Sequence, residues 1–474
     1  MRKRLFINGE WVESQNYKLL LSPYKQEVIA EIPLATVEET DMAIESAYRA
    51  REVMAKMPAH QRATILEKLS HLLEERSEEA ARIIALEAAK PIKTARVEVA
   101  RTVQTYKFAA EEAKRIHGET IPMDAAPGGE RRVGYTYREP IGVIGAITPF
   151  NFPMNLVAHK IGPAIAAGNT IVLKPADQTP LSALYLAELL QEAGLPAGAL
   201  NVVTGEGKKV GEYIVTDSRV AMITFTGSPA VGIGIRNKAG LKRVTLELGS
   251  NAAVIVDKGV EVDKIISRCV MGAFSNQGQV CISLQRIYVH EDVYEKFVEK
   301  FVEATKNLKL GDPLDSTTDI SVLISTKDVQ RTMDWIEEAR ANGAKIAIGG
   351  ASEGNIVYPS VILDADSSLK VSCQEVFAPI VLINKIKSVD EAFNLVNDSR
   401  YGLQAGIYTE NIKNALDAAE KLHVGGVMIN DIPTFRVDHM PYGGVKESGT
   451  GREGIKYAIE EMTEMKLVIW NRND

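Results

Sequence analysis

The sequence predicts an α/β fold built on parallel sheet, and three observations predict it. From Ile141 onward, short apolar runs rich in β-formers alternate with helical stretches, an order that puts helices on both faces of a parallel sheet. A second run of the same kind begins at Ala252-Ala-Val-Ile-Val256. Ahead of both, residues from about Thr36 to His117 carry helical periodicity without strands.

Taken in order, Asn8-Gly9 between Leu5-Phe6-Ile7 and Trp11-Val12 reads as a tight hairpin, because both central positions of such a turn favour φ > 0. Ser22-Pro23 marks a turn. In the stretch Ala59 to Glu87, Ile65, Leu66, Leu69, Leu72 and Leu73 form one apolar stripe with charged residues around it, as an amphipathic helix requires. Gly118 stops the helical region. Residues 119–138 are polar, with Ala126-Pro-Gly-Gly129 between two short extended pieces; this is either a hairpin leaving the body of the domain or a surface loop. The strands of the first alternation are 142–148, 170–173, 200–203, 222–225 and 243–248, with helices at 153–167 and 181–193. Pro180 stands near a helix start, where its missing N–H costs nothing. The second alternation carries helices at 292–308 and 327–342 and strands at 380–383 and 426–429. Met465-Lys-Leu-Val-Ile-Trp470 is an apolar terminal strand, which needs an edge to pair with, its own or a neighbour's.

A chain of 474 residues is long for one core and implies two or three domains. With 45% hydrophobic and 25% charged residues, it has the make-up of a soluble globular protein. The net charge of -7 argues against a nucleic-acid surface while leaving room for a local basic pocket. No apolar run reaches membrane-spanning length, and the charged start Met1-Arg-Lys-Arg4 has no apolar stretch behind it, unlike a signal peptide. Cys269, Cys281 and Cys373 are odd in number and widely spaced. That pattern fits reduced thiols in a cytoplasm and offers no metal-binding pair.

The chemistry centres on Phe274-Ser-Asn-Gln-Gly-Gln-Val-Cys281-Ile-Ser283, with Glu247-Leu-Gly249 upstream. Small and polar neighbours set Cys281 apart from a sheathed core thiol. A nucleophilic sulfur needs partial exposure and a stabilised thiolate, and a separate carboxylate can activate water. That pair suits a thioester that is made and then hydrolysed. The alternative is that Cys281 is a small buried hydrophobe. Several strand ends are turn-prone. Gly205-Glu-Gly207-Lys-Lys-Val-Gly211 is one residue longer than the usual dinucleotide fingerprint. Thr226-Gly227-Ser228-Pro-Ala-Val-Gly232 follows a strand and opens a helix, which aims backbone N–H groups at phosphate. Lys174-Pro-Ala-Asp177 carries a cation and a carboxylate suited to phosphate and ribose. Each alone is equally well a plain βα turn. Asn151, between aromatics and prolines in Thr148-Pro-Phe-Asn-Phe-Pro153, is either an oxyanion donor or a helix N-cap.

Together these segments resemble the aldehyde dehydrogenase superfamily over essentially the full length. The match is carried by 148–153, Lys174-Pro-Ala-Asp177, Phe225-Thr-Gly-Ser228, Leu246-Glu-Leu-Gly249, Gly278-Gln-Val-Cys281, Glu375-Val-Phe377, Pro441-Tyr-Gly-Gly-Val-Lys446 and Ser448-Gly-Thr-Gly-Arg-Glu453. The resemblance implies that Cys281 is the nucleophile, Glu247 the general base, and Asn151 an oxyanion donor beside the Cys281 N–H. It places Lys174, Asp177, Gly227 and Ser228 around the adenosine and pyrophosphate of NAD, with NADP also usable, and Glu375 and Phe377 around the nicotinamide ribose. Thr148, Phe150, Asn151, Ala176, Gly207, Gly211, Phe225, Gly232 and Leu248 complete the implied cofactor set. It further implies a Rossmann-like cofactor domain (1–118 and 139–248), a catalytic domain (249–445) and a small β oligomerisation element (119–138 and 460–474). The terminal strand would then extend across a partner in a homodimer or homotetramer. Ser250, Ala253, Gln374 and Ala378 depart from the common pattern, with replacements small enough to adjust packing only.

Within the superfamily the chain is most similar to lactaldehyde, sulfolactaldehyde and non-phosphorylating glyceraldehyde-3-phosphate dehydrogenases, which implies a short hydroxylated or anionic aldehyde. His159, Arg436 and His439 are the expected holders of an anionic tail, Arg through its planar fork. The alternative is an arginine paired with Asp438 or Asp431. Two other chemistries remain to be distinguished: thioester transfer to CoA, and a Cys281–His159 hydrolase, which would leave Glu247 and the phosphate-type turns without a role.

Overall fold

The computed structural model describes residues 1–472. Its architecture is three main sheets with helices packed against them, and two two-stranded ribbons, Tyr17–Leu21 with Val28–Pro33 and Ser352–Glu353 with Ile356–Val357. In the larger sheet the strands run Glu10–Val12, Leu5–Ile7, Leu200–Val202, Thr170–Lys174, Val143–Ile147, Val220–Thr226, Arg243–Glu247 and Gly449–Thr450. The central five are parallel, and chain order reverses direction between Val143–Ile147 and Val220–Thr226. A crevice opens at such a switch point beyond the carboxyl ends of the strands. The sheet is not wholly parallel, as the alternation alone predicts. The N-terminal hairpin closes one edge antiparallel, with Asn8 at φ 55° and Gly9 at φ 76°. Gly449–Thr450 closes the other, also antiparallel. Both edge strands are two or three residues long, too short to carry a periodic signal.

The second sheet orders Lys345–Ile348, Ser360–Leu363, Ile380–Ile386, Arg286–His290, Ala253–Val256, Gln404–Tyr408 and Gly426–Ile429, parallel apart from its first strand. The third is antiparallel: Thr463–Asn471, Arg132–Pro140 and Thr120–Ile121. Thus the 119–138 region is a hairpin, not a surface loop. The terminal strand finds its edge within its own chain, on Arg132–Pro140, and leaves its other side open. Residues 473–474 of the expected oligomerisation element lie outside the described residues.

The helical region resolves into Val37–Lys56, Ala59–Glu75, Ser77–Ala88 and Ile92–Ala113. Ile65, Leu66, Leu69 and Leu73 from the predicted stripe are buried in one core with helix Asn155–Ala167. That last helix is buried on every side, and Glu98 anchors its start. One carboxylate oxygen accepts from the Met154 and Asn155 N–H groups at 3.0 and 3.2 Å, favourable at the positive end of a helix dipole. The other meets the buried Lys90 ammonium. Asn151 is therefore not the cap of this helix.

Candidate active site

Cys281 is presented by an unusual backbone. Asn276, Gln277 and Gly278 all adopt left-handed conformations, φ 50°, 57° and 70°. Such strain persists only where the surroundings over-determine it, and here side chains do so. Gln277 Nε2 donates to the Ala89 and Val322 carbonyls, both at 3.1 Å. Gln279 Oε1 accepts from the Ile324 N–H at 3.1 Å. Asn276 Nδ2 donates to the Asn151 carbonyl at 3.3 Å, and Asn151 Nδ2 donates to the Gln279 carbonyl at 3.0 Å. The Asn151 amide and the Cys281 loop are thus locked to each other. An amide nitrogen carries two hydrogens, so one remains for an oxyanion.

Cys281 is half-buried at the floor of a cavity of 370 Å³. Burial pushes its thiol up to about 11, against the lowering effect of the Tyr442 hydroxyl and the Arg436 charge. Tyr442 Oη lies 2.9 Å from Sγ. Cys269 is buried beyond reach of this cavity, with its thiol at about 12.

Glu247 ends its strand buried, and neither carboxylate oxygen has a hydrogen-bond partner. Burial, then the neighbouring Glu453 charge, holds it well above the usual carboxylate range, which makes its carboxylate a stronger base than an exposed one. Glu453 is the contrasting member of the pair. Burial opposes its ionisation, but Lys160, Arg436 and His159 pull it down to about 2. Lys160 Nζ bonds Glu453 Oε1 at 3.2 Å, Thr226 Oγ1 at 2.8 Å and Thr224 Oγ1 at 3.1 Å.

A second cavity of 370 Å³ lies at the strand ends of the large sheet, walled by Lys174, Gly207, Gly211, Phe225, Val231, Gly234 and Ile235. A Cβ added at Gly207 or Gly234 would meet nothing within 4 Å, and one at Gly211 would only graze Lys174 and Ile147. Side chains there would occupy the cavity itself. Gly227 passes under the Phe225 ring and Gly232 under Leu248, each too close for a Cβ. Ser228 leads directly into helix Pro229–Lys238. Lys174 Nζ bonds Asp177 Oδ1 at 3.0 Å, and Lys18 Nζ reaches the Asp177 carbonyl at 2.8 Å. Ala176 stands between them in sequence. Toward the catalytic side, Thr148 Oγ1 is buried without a partner. The Phe150 and Phe377 rings meet edge-on at 5.8 Å. Glu375 Oε1 accepts from the Ser250 N–H at 2.9 Å, and burial lifts its carboxyl to about 7. A Cβ on Gly249 would fall 2.7 Å from Glu375, so glycine is what admits that side chain. Orphaned polar groups and Cβ-free walls at a parallel-sheet switch point fit a dinucleotide.

Of the three residues expected to hold a substrate tail, Arg436 and His159 are brought together and His439 stands apart. Only Arg436 reaches the Cys281 cavity, and its Nη2 is bound to Glu453 Oε2 at 2.9 Å and near His159 Nε2 at 3.2 Å. Its ion pair is therefore with Glu453, not Asp438 or Asp431. His159 is buried against Asp438 Oδ1 at 2.8 Å; burial, then Arg436, lowers its affinity for a proton. His439 is exposed and packs on Phe108. The sulfur's hydrogen-bond partner is Tyr442, which removes the basis for a Cys281–His159 hydrolase. The cations that do line the cavity besides Arg436 are Lys90, Arg101 and Arg268. None carries a motif, because each becomes relevant only when distant helices converge.

The sequence profile of the Aldehyde dehydrogenase family matches residues 11–468. The chain belongs to the aldehyde dehydrogenase family. As a member it is an NAD(P)-dependent aldehyde dehydrogenase. A 3-sulfolactaldehyde dehydrogenase from Priestia aryabhattai is 48% identical over 467 residues, 98% of each chain. Among solved structures of aldehyde dehydrogenases, aldehyde dehydrogenase 21 from Physcomitrella patens, in complex with the reaction product succinate, is 41% identical with a TM-score of 0.97, covering 99% of this chain and 98% of that one. The glyceraldehyde-3-phosphate dehydrogenase GapN from Methanocaldococcus jannaschii, complexed with NADP, is 42% identical with a TM-score of 0.93, covering 97% and 100%. Among the described residues no helix is long and apolar enough to cross a membrane, and no acidic, histidine or cysteine cluster could hold a metal.

Proposed function

We propose that this enzyme oxidises a short aldehyde bearing an anionic tail to its carboxylic acid through a thioester on Cys281. The observation that carries the substrate class is the charge of the cavity above the sulfur. Lys90, Arg101, Arg268 and Arg436 line it, and Glu98 is the one acid among the lining residues. The counter-carboxylates stand behind the wall: Asp438 holds Arg101 through two bonds of 2.6 and 3.1 Å, and Asp431 holds Arg268 at 2.7 and 2.9 Å. Arginines fixed from behind present their remaining N–H groups forward, a rigid receptor for a sulfonate, phosphate or carboxylate. The names of the relatives, sulfolactaldehyde and glyceraldehyde 3-phosphate, and the product succinate all carry such a group.

In this reading Cys281 Sγ attacks the aldehyde carbon, and the free Asn151 amide hydrogen and the Cys281 N–H stabilise the oxyanion, each donor contributing about 2.7–4 kcal/mol. A bound nicotinamide dinucleotide supplies the hydride acceptor. Lys174, Asp177, Gly227 and Ser228 would hold its adenosine and pyrophosphate, and Glu375 and Phe377 its nicotinamide ribose. Glu247 then takes a proton from the water that attacks the thioester, which favours hydrolysis over transfer to CoA. The Asp177 carboxylate disfavours a 2′-phosphate, while Lys174, Lys18 and Lys208 favour one, so we assign NAD as preferred and NADP as usable. The large sheet serves the cofactor, the second sheet carries catalysis, and the open outer edge of Thr463–Asn471 pairs subunits in a cytoplasmic homodimer or homotetramer. Steady-state oxidation of sulfonated, phosphorylated, carboxylated and neutral short aldehydes with each cofactor tests the proposal. It expects a lower KM for charged substrates; equal KM values for charged and neutral ones overturn it.

A further inference from the structure

Tyr442 is buried, and among the described residues its hydroxyl makes one hydrogen bond, to Cys281 Sγ at 2.9 Å. Its position is fixed twice over. The Tyr442 N–H donates to the Glu453 carbonyl at 3.0 Å, and the Glu453 N–H donates back at 2.6 Å. The Glu453 carboxylate holds Arg436, whose guanidinium carbon lies 3.7 Å from the centre of the Tyr442 ring. One residue thus positions both the phenol and the cation stacked on it.

We propose that Tyr442 is a catalytic residue, donating its O–H to the Cys281 thiolate, and that Arg436 is a positioning residue that strengthens this donation from the ring face. The inference rests on Cys281 being the nucleophile of the proposed reaction. A cation over a phenol withdraws electron density from the ring, which makes the hydroxyl a better donor. Hydrogen bonds to an ionised acceptor are the strong ones, and one that strengthens when the sulfur ionises favours ionisation. Burial, then the nearby sulfur, holds the phenol proton well above its usual range, so Tyr442 stays a donor while the thiol titrates. This donor works against identifiable opponents. Burial disfavours the thiolate most, and Glu375 and Glu247 add repulsion, while Arg436 helps. Further out, Lys90, Arg101 and Arg268 face the cavity, opposed there by Glu98. The structure also gives Arg436 a purpose that does not depend on touching substrate.

The test is the pH profile of iodoacetamide alkylation in the intact enzyme, with the modified cysteine mapped by peptide mass spectrometry. Tyr442→Phe keeps the ring, its packing and its contact with Arg436 and removes only the hydroxyl. Its Cys281 profile should shift upward by roughly one to two pH units, a 10- to 100-fold slower reaction at a fixed pH below both values. Arg436→Gln should shift the parental profile upward, and part of that shift should vanish in the Tyr442→Phe background. A Tyr442→Phe profile superimposed on the parent's overturns the donor role. An Arg436→Gln shift of equal size in both backgrounds overturns the action through Tyr442. Alkylation needs no turnover, so the two readings fail separately: inactivation that does not track Cys281 modification defeats the nucleophile, whereas tracking with an unmoved profile defeats only this inference.

Discussion

Gly278→Ala puts the presentation of the nucleophile to a direct trial. Gly278 has φ +70°, and a Cβ there would lie 2.1 Å from the Ala378 carbonyl oxygen and 2.6 Å from its carbon. The left-handed conformation alone costs a residue with a Cβ about 1–2 kcal/mol. The clash is worse, because the obstacle is backbone that precedes strand Ile380–Ile386 and cannot rotate away. Reaching ordinary contact requires the loop to yield by about 1 Å, and a displacement of that size at a reacting group can cost on the order of 100-fold in rate. Cys281 is three residues on, tied to Asn151 through the Gln279 carbonyl, so sulfur and oxyanion donor would lose their alignment together. Single-turnover formation of reduced cofactor should slow by about that factor, with cofactor affinity retained because the Lys174 cavity is untouched. A variant with parental single-turnover rate would refute the claim that this strained loop sets the geometry of attack.

Arg101→Leu should raise KM for an anionic aldehyde by roughly 10- to 150-fold, the worth of a charge-assisted hydrogen bond, and leave propanal unaffected; parallel losses on both would make Arg101 structural. Asp177→Ser should raise the efficiency with NADP relative to NAD, measured as the ratio of kcat/KM values, and an unchanged ratio would take Asp177 away from the ribose. Glu98→Ala removes the acceptor of two helix N–H groups and strands the Lys90 ammonium. Breaking such a buried pair costs about 3–5 kcal/mol, so thermal or denaturant unfolding should move sharply downward; an unmoved transition would contradict the anchoring of helix Asn155–Ala167.

The legible parts of this protein were those written locally. Strands buried on both faces, such as Val143–Ile147 and Thr170–Lys174, announce themselves as unbroken apolar runs, and the stripe at 65–73 announces its helix. The short segments did not: Gly449–Thr450 becomes a strand only because Arg243–Glu247 offers it an edge. Helix Val262–Phe274 and strands Arg286–His290 and Gln404–Tyr408 also went unread, lying between the conspicuous motifs. At the site, Cys281, Glu247 and Asn151 stood out through their motifs. Arg101, Lys90 and Arg268 did not, since a cation on an amphipathic helix looks the same whether it faces solvent or a cavity. Arg436 was singled out for its charge and assigned to a substrate tail. Its fate is decided by Glu453 and Tyr442, which lie close in sequence but whose approach depends on the backbone bridge between them.

The central claim is that a thioester forms on Cys281 and that Glu247 drives its hydrolysis. Rapid mixing of Glu247→Gln with substrate and cofactor, followed by acid quench and peptide mass spectrometry, tests it most directly, because the amide cannot take a proton from water. In the parent enzyme the hydrolytic step should accelerate as pH rises through the elevated Glu247 ionisation, since only the carboxylate is a base. The variant should show a burst of reduced cofactor stoichiometric with subunits, then a slow steady state without that pH dependence, and an acyl adduct on the peptide containing Cys281. Equal slowing of burst and steady state, or an adduct on any other residue, would contradict the account.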